Sequence, residues 1–284
     1  MSTGIYTAML GARAQEHALE SVNNNLANAN TPGFKRQASI YRSVHSDAQR
    51  LGNSKQAEDI KSPVRFLPDD RVAGVMEERF TQFEQGPLKQ TGNDLDFALQ
   101  GEGFFTLAGK DGPLYTRNGS FTLGADGTLV TLDGNPVLDD SGQTIRIPDT
   151  SAKVSVTSAG EVLAGGARIA KLGIVKFEDP QPLQRQGNSE WQVPTAPVVD
   201  GLAPPPPTDL GGPVTDVAAF PTLTPTKVDR PAVHQGWLEG SNVNPISTMT
   251  LMIKTSRLFE LNSKIIQSYK QMDSQSAQEV GRTV

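Results

Sequence analysis

The sequence predicts a mainly β central domain, built of antiparallel hairpins or a small barrel, flanked by long N- and C-terminal α-helices. Three observations predict it. Apolar residues recur every seven positions near the start of the chain. Turn dipeptides punctuate short apolar runs through the middle. A stretch of more than 30 residues free of glycine and proline lies near the end. Heptad spacing marks a helical stripe, and closely spaced Asp-Gly and Asn-Gly pairs mark tight hairpins.

Residues 1–36 read as the first helix and its exit. Ile5, Ala12, Leu19 and Leu26 are seven apart, with Ala8, Gln15 and Val22 on the companion track. The segment "NNNLANANTPGFK" then places five asparagines in eight positions before Pro32-Gly33. Thr31 precedes a proline and is biased out of the helical region, and Pro32 clashes with a continuing helix, so the helix should end near residues 28–30. Asn24, Asn25 and Asn28 offer groups that both donate and accept hydrogen bonds. On a filament surface they would fix register between neighbours, as a buried Asn does in a coiled coil. The plainer alternative is a helix C-cap and loop. Pro32 and Gly33 turn the chain outward and Phe34 anchors the turn.

Residues 37–78 are polar and mixed and read as an extended connector. Residues 79–190 form the β domain, with Asp111-Gly112, Asn118-Gly119, Asp126-Gly127, Asp133-Gly134 and Ser141-Gly142 between the apolar runs. Residues 191–232 form a proline-rich insertion, overlapping a span (180–231) that holds 12 of the 20 prolines; such composition favours a polyproline-like spacer. A return segment, 233–244, leads to the C-terminal helix, 245–284. There Asn244 is a fitting N-cap and Pro245 occupies the first helical position, where its missing N–H costs nothing. Met249, Met252, Ile253, Phe259 and Ile266 mark one face of that helix, and Leu251, Leu258, Ile265 and Tyr269 a flank. Some 35 helical residues span roughly 50 Å. A stripe that long on each end of one chain predicts self-association or co-assembly, and a head-to-tail contact that does not close gives a helical filament.

Composition removes other classes. There is no cysteine, which removes disulfides, thiolate catalysis and cysteine zinc sites. His17, His45 and His234 have no metal-ligand spacing, so no metal and no cofactor is expected. Net charge is -5, with +1 over residues 1–36, +2 over 245–284 and -8 between, which gives no case for nucleic acid. No apolar run approaches a membrane span. The first 20 residues lack the basic n-region of a Sec signal, so any export is expected by another route. Asp94 and Asp96 lack the remaining features of a calcium loop. Nothing singles out a carboxylate pair for hydrolysis, and no enzyme is expected.

Three stretches resemble one family. "GIYTAMLGARAQEHALESVNNNLANANTPGFKRQ" resembles the N-terminal segment of the flagellar rod and hook axial proteins. "NDLDFALQGEGFFTL" with "GPLYTRNGSFTLGADGTLVTLDGNPVL" resembles their shared β segment. "GWLEGSNVNPISTMTLMIKTSRLFELNSKIIQSYKQMD" resembles their C-terminal segment, which brings Leu238, Glu239, Ser241, Asn242 and Val243 into the candidate assembly set. "GIYTAM" and "RLFE" are similar to proximal-rod members and "NSKIIQ" to distal-rod members. The resemblance implies a non-enzymatic subunit of the basal-body rod, exported by the flagellar type III apparatus into the cell envelope. It also implies polymerisation with itself and with proximal and distal rod subunits to transmit torque, and terminal helices paired as a coiled coil. The alternatives are a distal-rod or hook-type sister, a secreted β-domain binding module or adhesin with coiled-coil ends, or a peptidoglycan-cleaving enzyme.

Overall fold

The computed structural model describes residues 3–45, 72–148, 153–187, 189–194, 223–228 and 231–282. The chain divides into two compact units. One comprises residues 1–29, 36–82 and 243–284, and the other residues 30–35 and 83–242.

Among the described residues the first unit holds two helices and a β-ladder. Helix α1 runs Thr3–Ala27 and helix α2 Pro245–Arg282, and the two pack against each other. Their contact is close where side chains are small: a Cβ at Gly11 would lie 3.4 Å from Asn262 Nδ2. Helix α2 begins as its sequence requires. Asn244 Oδ1 accepts from the amides of Ile246 and Ser247 at 3.1 and 3.3 Å, the N-cap arrangement that satisfies two orphan donors. Strands β1 (Gln37–His45) and β2 (Val72–Thr81) pair antiparallel from Gln37↔Thr81 to His45↔Val72. The stretch read as an extended connector therefore carries a strand at its start, and its end lies in that strand's partner. Residues 46–71 lie outside the described residues.

Among the described residues the second unit is all β and centres on a six-stranded sheet. Strands β5 (Phe104–Gly109) and β6 (Gly112–Thr116) form its central hairpin. On one side follow β14 (Glu190–Gln192) and β13 (Gln184–Gln186), and on the other β12 (Ile174–Lys176) and β15 (Thr226–Lys227). Both ends of the proline-rich insertion are thus sewn into this sheet, through β14 and β15; residues 195–222 are outside the described set. Because successive side chains on a strand point to opposite faces, Phe104 and Phe105 feed two different cores. Phe105 joins Phe97, Leu107, Phe121, Leu129 and Val137 in the larger one. Phe104 joins Tyr115, Phe177, Leu183 and Trp191 in the smaller.

Turn chemistry explains the hairpins, with one difference. Gly127, Gly134 and Gly142 have φ of 73, 88 and 80°, the left-handed region that Asp-Gly and Ser-Gly turns use. Asn118-Gly119 is not such a turn. Gly119 is required because a Cβ there would come 1.7 Å from the carbonyl oxygen of Phe97, whose amide donates to Gly119 O at 2.9 Å. The unit is completed from the C-terminal side. Strand β16 (Ala232–Gln235) pairs with β4 (Phe97–Gln100), and β17 (Trp237–Glu239) with β3 (Leu88–Gln90).

Candidate functional site

On α1, Ala12, Leu19 and Leu26 are half-buried and Val22 is buried, while the side chain of Ile5 lies outside the described set. On α2 the inward residues are Thr248, Met252, Thr255, Phe259, Asn262, Ile266 and Tyr269. This stripe alternates steps of four and three. It corrects the face read from sequence: Met252, Phe259 and Ile266 belong to it, but Met249 and Ile253 are 50% and 57% exposed. Each lies one residue, about 100°, beyond an inward position. The hydroxyls of Thr248 and Thr255 fit an inward face because they donate to the carbonyls four residues back, Asn244 at 2.7 Å and Leu251 at 2.9 Å. The side chains left outside include Leu251, Leu258, Ile265 and Met272, 40–51% exposed at seven-residue spacing, with Leu261 beside them.

The asparagines divide by helix phase. Asn24 is exposed, whereas Asn25 is buried and clamps the backbone of Gln37: its Nδ2 donates to Gln37 O at 2.7 Å and its Oδ1 accepts from Gln37 N at 2.9 Å. Asn28 donates from Nδ2 to Asn24 O at 2.9 Å, the same carbonyl that accepts its own backbone amide at 3.1 Å. Asn25 and Asn28 are therefore engaged within their own unit.

The turn that follows is docked in the β unit. Pro32 is half-buried, Gly33 has φ 69°, and a Cβ on Gly33 would lie 2.3 Å from the amide nitrogen of Asn118. Phe34 is fully buried beneath the guanidinium of Arg185, 4.3 Å from the ring centroid. Gly33 N donates to Glu239 O at 2.8 Å.

Glu239 is the centre of the site. Its carboxylate is buried and takes Lys35 Nζ at 2.6 Å, Arg117 Nη1 at 3.2 Å and the amide of Gly86 at 2.9 Å. Lys35 Nζ also donates to Glu84 O at 2.6 Å, and the Arg117 guanidinium stands 5.3 Å from the Phe104 ring. Burial pulls the Lys35 ammonium below its ordinary value, against the opposing charge and hydrogen bond of Glu239. Burial likewise lowers Arg117. Of the remaining return-segment candidates, Ser241 and Val243 are buried and Leu238 and Asn242 half-buried. The sequence reading missed Lys35 and Arg117. Their signal was present in "PGFK" and "YTRNGS", but a Lys or Arg is almost never fully buried without a partner, and the partner is remote in sequence.

A cavity of about 510 Å³ in the β unit is walled by Phe83, Phe104, Phe177 and Pro180, with Arg117 and the Glu102–Lys176 ion pair among its lining. It presents no nucleophile paired with a base. Among the described residues no group of three or more His, Cys, Asp or Glu is placed to hold a metal, and no helix is long and apolar enough to cross a membrane.

The three stretches that meet at Glu239 each match known families. Residues 5–35 match "Flagella basal body rod protein", residues 98–164 "Flagellar hook protein FlgE/F/G D1 domain", and residues 234–279 "Flagellar basal body rod FlgEFG protein C-terminal". The chain is 31% identical to the flagellar basal-body rod protein FlgF of Caulobacter vibrioides over 99% of both chains. It is 32% identical to FlgF of Rhizobium meliloti over 92% of this chain and 90% of that one. With FlgG of Agrobacterium fabrum it shares 31% identity, over 94% and 95% respectively. Matches at both ends and in the β unit, with full-length relatives, establish that the chain belongs to the flagellar basal-body rod protein family, structural subunits of the flagellum's basal body.

Proposed function

We propose that this chain is a polymerising, torque-bearing rod subunit of FlgF type that joins its neighbours, copies of itself and proximal and distal rod subunits, through its terminal helices. In this reading α1 and α2 pair as a coiled coil. Its seam is Ala8, Ala12, Gln15, Leu19, Val22 and Leu26 against the inward stripe of α2, both in alternating steps of four and three. The chain reaches the envelope through the flagellar type III apparatus. Its work is mechanical rather than catalytic.

The observation that carries this reading is the second stripe on α2. Leu251, Leu258, Ile265 and Met272 are exposed on a helix whose other face is already covered by α1. An isolated chain gains nothing from such a stripe, because contiguous apolar surface rimmed by polar groups marks an interaction face. The domain boundaries 1–36 and 245–284 are the functional ends in this view, with Asn24 and the exposed Met249 and Ile253 on the neighbour-facing side.

The test is Leu258→Ser with Ile265→Ser in the chromosomal copy. Purified double variant should unfold within about 0.5 kcal/mol of the parent, since exposed positions contribute little. Cells should be non-motile, with the subunit exported but absent from basal bodies. Normal rods and swimming would overturn the proposed interface.

A further inference from the structure

Within the β unit, the chain's outgoing ends are gathered at one point. The unit consists of residues 30–35 and 83–242, so the chain leaves it after Lys35, begins its long passage at Phe83 and leaves again after Asn242. Lys35 Nζ donates to Glu84 O at 2.6 Å and pairs with Glu239 at 2.6 Å. Asn242 Nδ2 donates to the same Glu84 carbonyl at 3.2 Å, and Asn242 N to Phe34 O at 3.4 Å. Gly33 N reaches Glu239 O, and Gly240 N reaches Pro87 O, both at 2.8 Å. Three segments remote in sequence are thus tied to one another, and Glu239 touches the first two directly.

The charges decide how such a knot behaves. One carboxylate faces two cations, all three nearly or fully out of water. A buried charge is tolerated only when paired, so neither cation can stay inside once Glu239 departs. Conversely Glu239 cannot stay without them. We propose that Lys35, Arg117 and Glu239 form a charge clasp that makes segments 30–35 and 239–242 of the β unit open together or not at all. Its value to a load-bearing subunit rests on the function proposed above, but the clasp itself is a property of the isolated chain. Pull on either end would have to separate buried opposite charges before the other end yields. A purely apolar anchor, by contrast, could peel from one side.

The test is amide hydrogen exchange on the full-length protein. In Glu239→Gln the amides of Gly33, Gly86 and Gly240 should exchange together and about tenfold or more faster, an opening below the level of global unfolding. Core amides such as Leu129 and Val137, which bond Ile145 and Leu129 carbonyls, should be unchanged. Adding Lys35→Met and Arg117→Met to Glu239→Gln should restore slow exchange, because together they remove both buried cations that Glu239 pairs. A packing role predicts the reverse, since further substitutions in a packed site deepen the damage. Unchanged protection in Glu239→Gln, acceleration of Gly33 without Gly240, or a triple variant worse than the single would each overturn the clasp. If Glu239→Gln does not fold, recovery of a folded chain in the triple variant supports the clasp, and failure of both overturns it.

Discussion

The two units treat their apolar side chains in opposite ways. In the β unit the large aromatics are inside: Phe97, Phe105 and Trp191 are at most 1% exposed, and the buried charges there come with partners. In the helical unit the seam between α1 and α2 mixes small and polar residues such as Ala8, Gly11, Thr248, Thr255 and Asn262 with Leu19, Val22, Met252, Phe259 and Ile266, while a second set of leucines and isoleucines on α2 stands outside. Of the ten exposed large apolar side chains among the described residues, eight lie on α2 and one, Leu132, lies in the β unit. The small positions let the helices approach closely, and the outer stripe of α2 keeps much of its apolar area in water. The difference teaches that the β unit is saturated by its own contacts, whereas the helical unit leaves an apolar stripe uncovered, as the proposed interface requires.

That contrast is broken most severely from the saturated side. Phe105 is fully buried and packs edge-to-face on Phe121, with centroids 5.4 Å apart. Phe105→Ala should cost about 3–5 kcal/mol, combining lost transfer energy with a cavity that surrounding strands cannot close. Denaturant unfolding followed by the fluorescence of Trp191 and Trp237 reads this. Leu261→Ser, at a residue 54% exposed on α2, should move the same midpoint by less than about 0.5 kcal/mol. Equal losses in the two variants would mean that the units are not saturated to different degrees.

A smaller effect sharpens the comparison inside the helical unit. Asn25→Ala strips two partners from the Gln37 backbone and should cost about 1–3 kcal/mol, the penalty of leaving buried polar groups unpaired. Its exposed neighbour Asn24→Ala should leave stability unchanged. Exchange of the Gln37 amide in the two variants separates them, and similar protection in both would show that helix phase does not divide the asparagines as described.

What was legible in the sequence was local. The Asp-Gly turns, the N-cap at Asn244 and the end of α1 near Ala27 all depend on residues a few positions apart. The family resemblance was equally legible, since its motifs are contiguous runs. Long-range pairings were not. The β1–β2 ladder joins segments across the intervening residues 46–71, and neither "QASIYRSVH" nor "VAGVMEERFT" announces its partner. Glu239 meets residues 122 and 204 positions away, and a charged residue in a sequence reads as exposed until its counter-charge is located. Met249 and Ile253, read on one face with Met252 and Phe259 but exposed beside them, show a third limit: a one-residue shift in helical phase changes the face, and two apolar stripes on one helix leave the phase ambiguous.

The smallest expected effect concerns a carboxylate that the β unit holds at its edge. Glu190 on β14 is partly buried, and burial raises its pKa above the ordinary carboxylate value. Asn135 opposes this by donating to both carboxylate oxygens at 3.0 and 3.1 Å, while the negative charge of Asp133 adds to the rise. The folded chain therefore retains a proton that the unfolded chain has already lost. Between the ordinary pKa and the raised one, the native state binds more protons, so stability falls as pH rises through that window and the cost persists at neutral pH. Solvent screening of a partly exposed group limits it to a few tenths of a kcal/mol. Glu190→Gln should remove this fall and leave the chain marginally more stable at pH 7, with little gain at the acid end of the window. Unfolding midpoints measured from pH 4 to 7 test it. A variant whose pH profile runs parallel to the parent would show that the Asn135 hydrogen bonds, rather than burial, set the charge state of Glu190.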